Sequence, residues 1–196
     1  YKYYHIKEPH EFRDELYKKL AHIHVMGRIY VSYEGVNAQV SVPDEQLQEF
    51  QNVINSIGFL NGIRLNFAVE DDPKSFFKLA IKVRNKIVAD GLNDSEFDVT
   101  EHGKHLDAEE FNQLASDPNT VIVDMRNHYE SEIGHFVNAY TPDVETFREA
   151  LKVVETELED KKDKNIVMYC TGGIRCEKAS AYYKHRGFQN VYQLNG

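Results

Sequence analysis

Tryptophan is absent and cysteine occurs only twice. The two cysteines, Cys170 and Cys176, are spaced C-x5-C, which fits neither a disulfide framework nor a zinc knuckle. A reducing, cytoplasmic setting is therefore expected. No apolar run approaches the length of a membrane span, and the first residues lack the apolar core of a signal peptide, so no membrane association is expected. No P-loop or dinucleotide fingerprint occurs, which leaves a nucleotide cofactor without support. The nine histidines do not cluster along the sequence. His22 and His24 lack a third ligand at suitable spacing, and no metal site is expected. Positive charge is in short supply, with 23 Lys+Arg against 32 Asp+Glu and a net charge of −9. Most of the deficit lies in residues 96–196 (11 against 19), whereas residues 1–95 are close to balance (12 against 13). An acidic half repels nucleic acid, so any RNA contact is expected in the first half.

What is present divides into two patterned regions around a polar stretch from Ala89 to Lys104. We expect one domain over 1–95 and a second over 96–196. The first reads as β-α-β-β-α-β plus an extra strand. Tyr3–Ile6 is extended, and Pro9–Leu20 is a helix with Phe12, Leu16 and Leu20 inward. Arg28–Ser32 and Val36–Val42 form a hairpin across Glu34-Gly35. Pro43 opens a second helix carrying Leu47, Phe50 and Ile54, and strands follow at Ile63–Val69 and Phe76–Val88. This α+β order is the ferredoxin-like split βαβ pattern. The second region alternates helix and strand, as a parallel-sheet α/β domain does. Asp107–Glu110 starts a helix with a capping box, Val121–Val123 is a short buried strand, and a helix runs from about Pro142 to Glu159. A strand at Ile166, a helix to Arg186 stopped by Gly187, and a strand at Val191 complete it.

The chemistry concentrates after the Ile166 strand, in Cys170-Thr171-Gly172-Gly173-Ile174-Arg175-Cys176. Strand, cysteine, glycine loop and helix in that order place a thiol in a ring of backbone N–H groups at a helix N-terminus. That surrounding stabilises an anion and lowers the thiol pKa. Cys170 is the expected nucleophile, with Arg175 and the loop amides of Thr171, Gly172, Gly173 and Ile174 stabilising its charge. Cys176, one helical turn on, either resolves an oxidised Cys170 or simply packs. A second signal is Asp124-x-Arg126, followed by Gly134-His135. It orders a loop by ion pairing or supports the site directly.

In the first half, Phe77, Leu79, Ile81, Val83 and Ile87 alternate with Lys78, Lys82, Arg84 and Lys86. Period two puts the apolar set on a core face and the cations on the other. No acidic residue lies between Lys74 and Lys86. Such a strand can track a phosphate backbone or merely face solvent. Asn37, Gln39 and Ser41 share the polar face of the neighbouring hairpin and reach either base edges or water.

Asp124-x-Arg126 with Gly134-His135, followed by Cys170 to Arg175, resembles the rhodanese family, whose loop cysteine carries a sulfane sulfur as a persulfide. The six-residue loop suits a sulfur atom better than a phosphate. Relative to that family the module looks cut short at its C-terminus. Longer blocks resemble the bacterial tRNA uridine hydroxylase family. These are Gly27–Val31 with Glu34–Gln39, Phe77–Leu79 with Lys82–Arg84, and Tyr169–Ser180. The resemblance implies 5-hydroxylation of the wobble uridine of tRNA, with molecular oxygen as co-substrate and the loop cysteine required. It also implies a tail beyond the rhodanese module, and a sulfur- or electron-donating protein as a further partner. Rhodanese-type sulfurtransfer is the alternative reading, and a non-catalytic RNA-binding module a third.

Overall fold

The computed structural model describes residues 1–68, 75–93 and 96–195, which fall into two compact units, Tyr1–Ile87 and Val88–Gly196. The division comes earlier than position 95 because Val88 and Leu92 already pack against the core of the second unit.

The first unit contains β1 (Lys2–Tyr3), α1 (Pro9–His22), β2 (Met26–Ser32), β3 (Gly35–Ser41), α2 (Leu47–Asn55) and β4 (Leu79–Val83). Their sheet order is β1-β3-β2-β4, with β2 and β3 an antiparallel hairpin and β4 parallel to β2 at the far edge from β1. Leu16 and Leu20 of α1, Phe50 of α2, and Ile29, Val31 and Ile81 of the sheet form its core.

Several expected boundaries move. Beyond Tyr3 the chain leaves the ladder and bonds instead to the hairpin turn, through Tyr4 N–H to the Glu34 carbonyl and Ile6 N–H to that of Tyr33. Pro43 precedes a 3₁₀ turn (Asp44–Gln46), and the α-helix begins only at Leu47. Residues 63–68 are not a strand, although Ile63 and Leu65 pack on the core; Val69 lies outside the described residues. The last strand is confined to Leu79–Val83, which leaves Phe77 88 % exposed instead of inward. Ile87 is buried for a different reason. Its N–H donates to Glu34 Oε1 at 2.8 Å and its carbonyl accepts from Asn37 Nδ2 at 3.4 Å, which folds this segment back over the hairpin.

The second unit holds β5 (Lys104–Leu106), α3 (Ala108–Ala115), β6 (Thr120–Asp124), α4 (His128–Ile133), α5 (Phe147–Glu157), β7 (Asn165–Tyr169), α6 (Ile174–His185) and β8 (Asn190–Leu194). Its four strands are parallel in the order β5-β8-β7-β6. Strand β7 is interior, so both of its faces are covered. Ile166 and Met168 join Val123, Leu151, Val154 and Tyr183 on one side, while Val167 and Tyr169 join Leu106, Ile122 and Phe111 on the other. This explains the unbroken apolar run of β7. The Asp107 capping box forms as expected. Helix α5 starts at Phe147, later than Pro142, because Thr146 caps it with Glu149. Among the described residues no helix is long and apolar enough to cross a membrane.

Candidate active site

Strands β6 and β7 end side by side, Asp124 opposite Tyr169, and the loops that leave their carboxyl ends build the site. Cys170 follows β7, and Gly173 heads α6 in the left-handed region at φ +85°, a conformation that favours glycine. This turn aims the Gly173 N–H at Cys170 Sγ, 3.1 Å away. The Cys176 thiol also hydrogen-bonds to Cys170, and the N–H groups of Cys176 and Arg175 face it. Led by the Cys176 hydrogen bond, these donors overcome burial and hold the Cys170 thiol down at about 6. Burial pushes the fully enclosed Cys176 thiol well above its ordinary value. The pair is thus polarised: Cys170 carries the negative charge and Cys176 keeps its proton.

Arg175 does more than face the sulfur. Its guanidinium forks onto Glu130, Nη1 to Oε2 at 2.7 Å and Nη2 to Oε1 at 2.9 Å, and Nη2 also reaches Thr171 Oγ1 at 3.1 Å. The Thr171 hydroxyl donates to Glu130 Oε1 at 2.5 Å. The Arg175 guanidinium holds the Glu130 carboxyl at about 2. Arg175 therefore clamps the cysteine loop to α4 while its charge stays close to the thiolate. Sequence reasoning missed Glu130. Its signal was the Asn127-x-x-Glu130 pattern, which places the carboxylate at the start of α4, where it accepts from the Asn127 N–H at 3.1 Å.

Asp124 is fully buried and acts beneath the loop. It accepts from Arg126 Nη2 at 2.7 Å, Arg126 N–H at 2.9 Å and Tyr169 O–H at 2.7 Å. Arg126 also donates to the Gly134 carbonyl at 2.6 Å, and its guanidinium lies 5.4 Å from the Tyr169 ring centroid. Burial, then the hydrogen bond to Asp124, pushes the Tyr169 phenol up to about 12. These residues order the loop after β6.

The four alternating cations Lys78, Lys82, Arg84 and Lys86 lie on or beside β4. Lys78, Lys82 and Arg84 are exposed and Lys86 is half-buried. Strand register sets Lys82 beside Tyr30, and Tyr30 beside Asn37. The Arg84 and Arg28 guanidinium groups lie 5.5 and 5.8 Å from the Tyr30 ring centroid. Gln39 Nε2 donates to Asn37 Oδ1 at 2.9 Å. The polar sheet face thus holds an aromatic ring between two arginines with amides alongside, an arrangement the β4 charges alone did not reveal.

Residues 1–87 match the UPF0176 acylphosphatase-like domain and residues 107–196 the rhodanese-like domain. Over its whole length the chain is 52 % identical to a Photorhabdus laumondii protein and 52 % identical to a Leptospira interrogans protein, each named tRNA uridine(34) hydroxylase. By sequence, the chain is similar to tRNA uridine(34) hydroxylases along its whole length. It spans 56 % and 53 % of the length of those two relatives. Among solved structures, a single-domain sulfurtransferase from Saccharomyces cerevisiae is 20 % identical, with a TM-score of 0.40 over 50 % of this chain and 86 % of its own. The blocks that carry the resemblance to the hydroxylases fall on the β2–β3 hairpin, on β4 and the residues just before and after it, and on the β7–α6 cysteine loop.

The expectation that the histidines are scattered fails at one place. His102 and His105 stack with ring centroids 5.0 Å apart and converge on Glu177.

Proposed function

We propose that the protein contributes to oxygen-dependent 5-hydroxylation of the wobble uridine of tRNA, with Cys170 as its reactive thiolate. The supporting observation is the polarised cysteine pair, in which Gly173 N–H and the Cys176 thiol hold Cys170 as an anion. In this reading Arg175, clamped by Glu130, fixes the loop and its field. Thr171, Gly172, Gly173 and Ile174 provide the main-chain wall. Asp124, Arg126 and Tyr169 keep the adjoining loop in place. Molecular oxygen is a co-substrate, and tRNA is the partner.

The polar sheet face of the first unit is the proposed RNA contact. Lys78, Lys82, Arg84 and Lys86 supply phosphate-directed charge. Tyr30, between Arg28 and Arg84, offers a surface on which a base stacks, worth about 1–3 kcal/mol per base. Nucleoside mass spectrometry of tRNA from cells carrying Cys170→Ser in the full-length gene tests the proposal. Loss of 5-hydroxyuridine and its derivatives is expected, and unchanged levels overturn it. Thiosulfate-dependent thiocyanate formation without tRNA, abolished by the same substitution, would favour sulfurtransfer through a Cys170 persulfide.

A further inference from the structure

The second unit contains a cluster that the cysteine chemistry does not use. His102 Nε2 lies 3.3 Å from Glu177 Oε1, and His105 Nε2 lies 2.7 Å from Glu177 Oε2. One donor atom from each residue lies within 4.8 Å of the others. Glu177 is buried in the first turns of α6, while His105 lies within β5 and is exposed enough to leave the cluster open on one side.

The imidazole orientation carries the argument. His102 Nδ1 lies 2.9 Å from the Gly103 carbonyl, an atom that can only accept, so Nδ1 bears the hydrogen. A neutral His102 then points the lone pair of Nε2 at a carboxylate oxygen 3.3 Å away. Two acceptors facing each other at that distance call for a cation between them. A metal ion placed there meets the need while also taking His105 as a ligand.

The surroundings match such a site. A ligating imidazole usually donates its other N–H to a carbonyl, as His102 does to Gly103. The same carbonyl accepts from Gln193 Nε2 at 3.2 Å, and the buried Gln193 amide also bonds to Glu177. Carboxylate and carbonyl are thereby held by one buried side chain.

We propose that His102, His105 and Glu177 form a binding site for a divalent transition-metal ion. Two imidazoles and a carboxylate suit Zn2+, Fe2+ or Co2+ and disfavour Mg2+ and Ca2+, which prefer all-oxygen sets. Three protein ligands leave coordination positions for water or a small molecule. The site is independent of the hydroxylase reading.

Metal uptake by the full-length protein tests it, using Zn2+ in calorimetry and Co2+ in visible absorption. Anaerobic Fe2+ titration separates a site that accepts both Zn2+ and Fe2+ from one that accepts Zn2+ alone. A single equivalent is expected to bind through this cluster, with affinity falling by about tenfold or more in His102→Ala and in His105→Ala. Both histidines are partly exposed, so these variants are expected to fold. Cys170→Ser/Cys176→Ser separates the alternative of thiolate coordination. Uptake that survives both histidine substitutions but is lost in the double cysteine variant overturns the proposal, as does the absence of stoichiometric uptake.

Discussion

Glu130 and Arg175, 45 residues apart in the chain, meet in a two-pronged ion pair with N–O distances of 2.7 and 2.9 Å. The contact joins the first turn of α4 to the first turn of α6, and so ties the loop after β6 to the cysteine loop after β7. Neither residue's partner is visible from its own neighbourhood.

Glu130→Gln is expected to weaken this clamp and to lower stability by about 1.5–3 kcal/mol, the range for hydrogen bonds to charged groups. Because Glu130 titrates at about 2 when folded, against 4.5 unperturbed, its contribution is complete above about pH 4.5 and is lost as pH falls toward 2. Denaturant melts of both proteins across that window check this. The stability difference should shrink in acid.

The rate of Cys170 alkylation by iodoacetamide is expected to rise with pH and level off above about 6, while Cys176 stays unreactive in the folded protein. Cys176→Ala removes the foremost donor to the sulfur, so the midpoint should move upward. A midpoint unchanged by that substitution would show that the main-chain N–H groups suffice.

Tyr169→Phe is expected to cost about 1–2 kcal/mol, because Asp124 loses one donor but keeps Arg126. Asp124→Ala should cost more, about 3–5 kcal/mol, since Arg126 then loses its partner in a largely enclosed position. Thermal melts of the two variants give the order directly.

Lys82→Ala and Arg84→Ala should each weaken RNA binding evenly across sequences and reduce the salt slope by about 0.7 per lost phosphate contact. Tyr30→Ala should weaken binding by about 1–3 kcal/mol with little change in salt slope, which separates stacking from charge. Fluorescence anisotropy with an anticodon stem-loop at several salt concentrations distinguishes them.

The second unit was largely legible because its signals are local. The buried run Ile166–Met168 announces an interior strand, Asp107 and Glu110 form their capping box within one turn, and Gly187 stops α6 at φ +92°. Strand β5 was not legible: three residues, two of them exposed, become a strand only by pairing with β8. Helix α4, at six residues, is too short to show a period. The same cause runs through the first unit. Phe77 fits the alternation of β4 but lies before the ladder begins, and Ile87 is held by Glu34 from 53 residues away. At the site, Cys170 and Gly173 could be read as a thiolate loop from the six adjacent positions Cys170 to Arg175, whereas Glu130 and the convergence of His102, His105 and Glu177 depend on the completed fold.

Helix α6 places Cys176 against the reactive sulfur, Glu177 among the histidines, and Lys178 in a fully buried pair with Asp90 at 3.2 Å. Consecutive positions thus point to separate tasks, and turning the helix about its axis would misplace all of them together. The cysteine loop is consequently not a portable cassette. Grafted without α6 and its anchors onto another scaffold, it would carry over the thiol but leave behind what keeps that thiol charged.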